Sequence, residues 1–163
     1  MSILINDLIA QLIHIQQGKN WIGVNFQQRL NSLSDEDFFY QPSGMHSIAE
    51  IISHLTTWRN ETVLKIKTGK GSITDNHPSN WPPLELLKTI GKDGLLRHYD
   101  ESMVQLIKEL KNKNDSFLGE SYFDTDFDNY YPYSFVINGM VHHDLYHLGQ
   151  IGLIIKMQKL HLG

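Results

Sequence analysis

The amino-acid sequence predicts an all-α protein, an up-and-down four-helix bundle with an extra short N-terminal helix and long connections. Two observations predict this class: apolar residues recur at helical spacing in several segments, and no strand-period alternation of any length occurs. The 163 residues, 40% of them hydrophobic and 20% charged, are enough for one globular domain with a substantial core.

The N-terminal part of the chain contains two runs of apolar residues at helical spacing. A break between Gly18 and Asn20 separates a short helix from a longer one. Residues 1–18 are therefore predicted to be an N-terminal helical extension of a single domain covering residues 1–163. The apolar positions are Ile5, Leu8, Ile9 and Leu12 in the first run and Ile22, Phe26, Leu30 and Leu33 in the second.

A capping box marks the start of the next helix. Ser47 and Glu50 are three residues apart, so the Ser hydroxyl can accept from the Glu amide while the Glu carboxylate reaches back to the Ser amide. We expect a helix over about 47–68. The following segment, 69–83, contains three of the five prolines, which predicts a long loop with Trp81 packed against the body.

Two more helices complete the predicted bundle. After a short helical piece at 84–90, apolar residues follow the 3-4-3-4 spacing that is typical of a bundle seam. These residues are Leu96, Tyr99, Met103, Leu106 and Leu110. A polar, aromatic-rich connection over 114–131 then leads to a last helix over about 133–157.

Charge and composition exclude several function classes. The net charge is −4 and neither sign forms a long block, so we expect neither nucleic acid nor a membrane as a partner. The chain has no cysteine, which excludes disulfides, thiolate metal sites and cysteine nucleophiles. The uncharged run 8–18 is interrupted by His14 and three glutamines, unlike a signal peptide or a membrane span. We expect a cytoplasmic protein.

Two of the nine histidines are four residues apart on the last predicted helix. His143 and His147 share one helical face, a spacing that can chelate one metal ion. Both rings should point into the bundle, because the same face contains apolar residues. The pair can equally be core histidines that hydroxyls or carboxylates satisfy. The apolar residues of this face are Val136, Met140, Ile151 and Ile154.

A third histidine favours a metal site. His54 borders the inward face of the helix predicted over 47–68. Helices two and four of a bundle can be neighbours across the core, so His54, His143 and His147 can converge. Three neutral imidazoles leave a fourth tetrahedral position open for water or substrate, which is typical of catalytic sites rather than of closed structural sites.

The other histidines have no partner at a useful spacing. His142 is adjacent to His143 and points about 100° away around the helix, so we expect it at the surface. His46 precedes the capping Ser47 and either staples the helix entry or lines the mouth of a pocket. For the rest we expect solvated or locally hydrogen-bonded side chains.

Three better-defined metal-binding motifs are excluded, each by the residue found at one required position. A zincin protease needs Glu directly after its first histidine, where this chain has Asp144. A di-iron bundle needs Glu three residues before its histidines, and His54, His143 and His147 have none there. The acidic triplet at 124, 126 and 128 imitates part of a calcium loop. Asn129 stands where that loop requires glycine, so we expect a solvated acidic loop.

Two segments together resemble the DinB-like superfamily. One is the helix start His-Ser-Ile-Ala-Glu at 46–50, followed by His54 and Trp58, and the other is His143-x-x-x-His147-Leu-Gly-Gln-Ile. The resemblance extends over roughly residues 20–157. It implies a four-helix bundle, commonly a homodimer, with a divalent metal ion held by His54, His143 and His147.

The resemblance also implies an activity. Characterised members of the family look like metal-dependent transferases that act through low-molecular-weight thiols such as bacillithiol or mycothiol, or like maleylpyruvate isomerases, and many others are described as metal-dependent hydrolases. We therefore expect a Zn²⁺ or Ni²⁺ ion and a small electrophilic substrate. A thiol nucleophile would have to arrive as a cosubstrate, because the chain has no cysteine.

The residues around the predicted site identify no catalytic side chain. Asp144 and Tyr146 lie off the ligand face by helical angle. Trp81, Tyr130 and Tyr131 are candidates for the mouth of the pocket. The alternative function is a non-catalytic, dimeric metal-binding or stress-response bundle, in which the histidines are core groups or hold a structural metal. In that case chelation would strongly lower thermal stability.

Overall fold

Four long helices form the body of the protein. The computed structural model describes residues 2–161, and these residues form seven α-helices and one β-hairpin. The long helices are α1 (Ile3–Gln16), α4 (Ile48–Thr68), α6 (Lys92–Lys111) and α7 (Tyr133–His161). The short ones are α2 (Phe26–Leu30), α3 (Asp35–Phe39) and α5 (Leu84–Ile90). A 3-10 turn (Asp115–Gly119) precedes the strands β1 (Ser121–Asp124) and β2 (Asn129–Pro132). The predicted all-α bundle class is confirmed.

Helices α4 and α6 run in the same direction. Arg59 of α4 contacts Tyr99 of α6, and further along both helices Lys67 approaches Glu109, with Nζ 3.6 Å from Oε1. The connection 69–91 therefore crosses back along the whole bundle before α6 begins.

Helix α7 runs antiparallel to α4. The hydroxyl of Tyr133, at the start of α7, donates to the carbonyl oxygen of Lys65 near the end of α4. One turn and a half earlier on α4, Arg59 contacts Asp144, eleven residues further along α7. We expected the long helices of an up-and-down bundle to alternate in direction. They do not, because the connection 69–91 between α4 and α6 is a crossover.

The N-terminal helix is one of the four long helices rather than a short addition to them. Gln16, at the end of α1, donates to Asp100, whereas the backbone amide of Ile3, at its start, donates to Asp115. Helix α1 therefore runs antiparallel to α6 and packs along it. Its apolar face is buried, including Leu12 at 0% exposure.

The longer helix expected from Ile22 to Leu33 is wrong. That segment contains α2 and then a break before α3. Asn25 begins α2 with a capping box, and Ser34 begins α3 with a second one. The chain cannot continue as one helix, because each cap residue has an extended backbone and uses its side chain to start a new helix.

Helix α4 begins and ends where the sequence predicts. The Ser47 hydroxyl accepts from the Glu50 amide at 3.2 Å, and the Glu50 carboxylate accepts from the Ser47 amide at 2.7 Å. Gly69 ends the helix in the left-handed region, with φ of 73°, a conformation that glycine adopts at little cost.

A β-hairpin occupies part of the connection predicted to be irregular. β1 and β2 pair antiparallel, from Ser121 opposite Pro132 to Asp124 opposite Asn129. Four residues per strand are too few to show a clear alternation in the sequence. Among the described helices, none is long and apolar enough to cross a membrane.

Candidate metal centre

The three predicted ligand residues lie together between α4 and α7. All three offer a ring nitrogen within 4.8 Å of the others. His143 Nε2 is 2.9 Å from His54 Nε2 and 3.2 Å from His147 Nε2. Two nitrogens bound to one tetrahedral zinc ion at about 2.0–2.1 Å lie about 3.3 Å apart, so the cluster has nearly the spacing of a ligand set.

Asn80 determines which nitrogen of His54 faces the cluster as a free acceptor. The Asn80 amide nitrogen donates to the carbonyl oxygen of Asp75, so its Oδ1 is oriented towards α4. That oxygen accepts from Trp58 Nε1 at 2.8 Å and lies 2.7 Å from His54 Nδ1. His54 Nδ1 must therefore hold the proton, and Nε2 presents its lone pair to the centre.

The two histidines of α7 complete the convergence. His147 Nδ1 lies 2.7 Å from Gln150 Oε1, which leaves His147 Nε2 as a second lone pair. His143 Nε2 lies between these two acceptors and can donate a proton to only one of them. Its own Nδ1 is buried without a hydrogen-bond partner in the described part of the chain. A cation at the centre would satisfy all three Nε2 atoms at once.

Burial keeps the cluster neutral. Burial, with the neighbouring His147 second, lowers the pKa of His54 to about 4. Burial and the two other imidazoles lower the pKa of His143 to about 3. The pKa of His147 is also lowered, chiefly by burial. All three rings are therefore unprotonated at neutral pH, which is the state that binds a metal ion.

The 69–83 loop covers one side of the cluster. Trp81, which we expected to pack against the body, stacks on the His54 ring with centroids 4.0 Å apart. His46 stacks on the opposite face of Trp81 at 3.8 Å, and its Nδ1 lies 3.3 Å from Glu50. His46 thus lines the mouth of a pocket, as one of its two predicted roles requires.

Two cavities meet at the cluster. The first, which we call the apolar cavity, has a volume of about 340 Å³ and reaches His54 and His143. Its apolar wall consists of Trp58, Phe127, Phe135, Val136, Gly139 and Met140. The second, the polar cavity, has a volume of about 470 Å³ and reaches His54 and His147. Its other lining residues are His46, Asp75, Asn80, Trp81, Tyr146 and Gln150.

The acidic loop is not uniformly solvated, which corrects the prediction for Asp124. This carboxylate is 2% exposed and accepts from Lys65 Nζ and from the Tyr122 hydroxyl, each at 2.9 Å. Asp124 pairs with a lysine 59 residues earlier, and that contact is invisible in the local sequence. Asp126 and Asp128 remain at least partly exposed.

Some of the other residues considered in the sequence lie where they were expected, and others do not. Asp144 is off the ligand face, as expected, and is fully buried in an ion pair with Arg59, so it is not available to move protons. Tyr146 lines the polar cavity. Tyr130 and Tyr131 do not line the apolar cavity, because the hairpin places Phe127 there instead and Tyr130 is 69% exposed.

Comparison with known protein families shows to which family the chain belongs. The model of the DinB superfamily matches residues 22–151, most of the chain. The chain belongs to the DinB superfamily. The segment that matches this DinB model contains His54, His143 and His147, whereas α1 precedes it. No curated protein and no solved structure matches the chain.

Sequence reasoning about this DinB protein missed Asn80, which lies in a loop without periodicity, so no local pattern reveals its contact with His54. Trp81 was predicted at the mouth of the pocket, but its stacking on His54 was not. The contact between Gln150 and His147 was not predicted either, although their spacing of three residues on one helix is a signal for it. The buried three-histidine cluster could hold a metal ion and fits a metal-binding DinB protein.

Proposed function

We propose that this protein is a metal-dependent enzyme that transfers a low-molecular-weight thiol to a small electrophilic substrate. His54, His143 and His147 would hold a Zn²⁺ or Ni²⁺ ion. The observation that supports the proposal is the convergence of three neutral Nε2 atoms where two open cavities meet. A closed structural site has four protein ligands and needs no cavity, whereas three ligands leave a position for a reacting group.

The chemistry follows from the open position. When bound, the ion would lower the pKa of a thiol or a water molecule, so that a nucleophile exists near neutral pH. The chain has no cysteine, so the thiol enters from outside, and the polar cavity suits its hydrophilic part. The sulfur forms a bond to the electrophilic carbon, the leaving group departs with its bonding pair, and the thiol proton passes to solvent.

Hydrolysis is a second candidate, because the polar cavity opens beside the same histidines and can admit water. The two reactions differ only in the nucleophile. A non-catalytic metal-binding bundle is the remaining alternative, and the experiment below separates it from both.

The first test measures metal content by mass spectrometry on protein purified without a metal-affinity tag. We expect about one divalent ion per chain in the wild type and its loss in His147→Ala. His142→Ala is the matched control, because His142 is an exposed histidine of the same helix. A wild type that is isolated empty and takes up neither zinc nor nickel would contradict the proposal.

The second test follows thiol consumption by the metal-loaded protein with an aromatic chloride as electrophile. Turnover in the wild type and in His142→Ala, but not in His147→Ala, would support thiol transfer. Ester hydrolysis without thiol consumption would favour the hydrolase. A bound metal ion with no turnover and a large loss of thermal stability on chelation would favour the structural alternative.

The proposal includes a cytoplasmic homodimer. Trp21 is 98% exposed, and Leu145 and Leu153 on α7 are also exposed, so apolar surface is available for a second copy. Light scattering on the purified protein measures its mass and tests the dimer directly.

A further inference from the structure

The apolar cavity has an inner end and an outer rim of different character. At the inner end lie three buried side chains that contact one another, Lys65, Tyr122 and Asp124. At the outer end lie the more exposed carboxylates of Asp75 and Asp126. The rest of the lining is the apolar wall. A ligand in this cavity therefore contacts exposed carboxylates, a hydrocarbon wall and a buried polar group.

The inner end is neutral overall but retains hydrogen-bond donors. Lys65 Nζ is 2.9 Å from Asp124, so the two charges compensate each other. An ammonium group has three N–H donors, and within the described chain Lys65 has this one hydrogen-bond acceptor. The rings of Trp58 and Tyr122 lie 5.6 Å and 5.5 Å from Nζ. A neutral acceptor atom such as a carbonyl oxygen suits this end better than a second anion.

The outer rim disfavours anionic ligands. The amide of Asp75 donates to the Asp126 carboxylate at 2.7 Å, which holds the two acidic residues side by side. Among the described residues that line the cavity there is no arginine, and the one lysine is already paired with Asp124. In the metal-free protein, a negatively charged ligand would therefore meet two exposed carboxylates and no unpaired cation among the described lining residues.

We propose that the apolar cavity is the binding site for the electrophile, and that it takes an uncharged, mainly apolar or aromatic group with an oxygen acceptor directed at Lys65. Its role as an electrophile site rests on the proposed function, because the cavity reaches His54 and His143 while the thiol would use the polar cavity. Binding itself does not require the metal ion and can be tested without it.

The experiment uses four small compounds, each with one benzene ring, and two variants in which a glycine is replaced. Acetophenone has the carbonyl, α-methylstyrene has the same shape without it, benzoate is anionic and benzylamine is cationic. Gly139 lines the cavity and has free space where a Cβ would stand, so Gly139→Leu should fill the cavity without disturbing the helix. Gly149→Leu is the matched control, because Gly149 is an exposed glycine of the same helix with equal space.

Binding is measured by amide chemical shifts in NMR spectra of the metal-free protein, and metal content is measured in parallel. We expect acetophenone to shift the amides of Phe135 and Met140, with about five-fold tighter binding than α-methylstyrene, the value of one hydrogen bond. We expect no saturable binding of benzoate, and weaker binding of benzylamine than of acetophenone, because an ammonium group offers Lys65 no acceptor. Gly139→Leu should abolish acetophenone binding and Gly149→Leu should preserve it.

Several results would overturn the inference. These are binding of benzoate or benzylamine as tight as that of acetophenone, equal binding of the two neutral probes, or unchanged binding in Gly139→Leu. If Gly139→Leu does not give a folded spectrum, Phe135→Ala removes a half-exposed wall residue instead and should weaken binding several-fold. A wild type that binds acetophenone but no metal would contradict the proposed function and leave this inference standing.

Discussion

Arg59 and Asp144 form an ion pair that is sealed between α4 and α7, with Nη2 2.7 Å from Oδ2 and both side chains at most 1% exposed. Asp144 is adjacent to His143, and Arg59 is five residues after His54. The pair therefore links the two helices that hold the three histidines. Tyr99 completes the group, since its hydroxyl lies 2.9 Å from Arg59 and its ring lies under the guanidinium.

Removing one partner of this pair should destabilise the fold strongly. Arg59→Met leaves the Asp144 carboxylate buried without a compensating charge, which costs about 3–5 kcal/mol of unfolding free energy. The double variant Arg59→Met with Asp144→Leu should recover most of that loss, because it removes both charges. Urea denaturation of the three proteins measures the effect. Wild-type stability in the single variant would refute the importance of the pair.

Lys67→Met is the control for a charge pair at the surface. Lys67 is 55% exposed and lies 3.6 Å from Glu109. Its removal should cost about 1 kcal/mol or less, because water screens exposed charges. Comparing Lys67→Met with Arg59→Met separates the effect of burial on stability from the effect of removing a charge.

Asn80 should control metal affinity through the tautomer of His54. Asn80→Ala removes the acceptor for His54 Nδ1, and the loss of such a partner typically weakens metal binding about 10–100-fold. Asn80→Asp keeps an acceptor oxygen for both His54 and Trp58 but loses the donor to the Asp75 carbonyl oxygen, so it should retain more affinity than Asn80→Ala and less than the wild type. Competition with a chromophoric chelator measures zinc affinity in both proteins.

The control for Asn80 is Asn76→Ala, an exposed asparagine of the same loop, which should bind zinc like the wild type. If Asn80→Ala and Asn80→Asp lost affinity equally, the hydrogen bond to His54 would not be the cause. A general disturbance of the loop would then explain the loss.

The histidines could be predicted from the sequence because helical periodicity places residues on faces. Residues four apart lie on the same face of any helix, so His143 and His147 do so wherever the helix begins. The apolar residues beside them show that this face is buried. The residues that orient the rings could not be predicted in the same way. Asn80 and Trp81 lie in the loop 69–83, where the conformation depends on contacts with α4 rather than on local spacing.

The helix directions could not be derived from apolar spacing, because a seam pattern is the same in a parallel and in an antiparallel helix. One clue was available in the length of the connection 69–91. Helix α4 has 21 residues and is about 32 Å long at 1.5 Å per residue. A connection of that length can return along such a helix, and this is what produces the parallel pair of α4 and α6.

Helix boundaries inside 22–40 were misread for a different reason. The apolar residues Phe26 and Leu30 are buried whether they belong to one helix or to two, so periodicity alone does not locate the break. The cap residues Asn25 and Ser34 do locate it, because each side chain accepts from the backbone amide three residues later. Capping chemistry was the better guide in this segment.

The metal-free protein should lose stability in mild acid. In the unfolded chain the imidazoles of His54 and His143 take up protons near pH 6.5, whereas in the folded chain burial lowers their pKa values to about 4 and about 3. Between these values the unfolded state binds more protons, so the free energy of unfolding falls as the pH falls. This contribution is fully present above about pH 6.5 and is lost progressively towards pH 4.

Denaturation in the presence of a chelator at pH 7.5, 6 and 5 measures this loss, which we expect to be on the order of 2 kcal/mol for each imidazole between the extremes. His143→Asn removes one of the buried imidazoles and should make the pH dependence shallower. His142→Asn removes an exposed neighbour and should leave it unchanged. Equal slopes in all three proteins would mean that the cluster accepts protons as readily as the unfolded chain, which would contradict a desolvated, neutral ligand set.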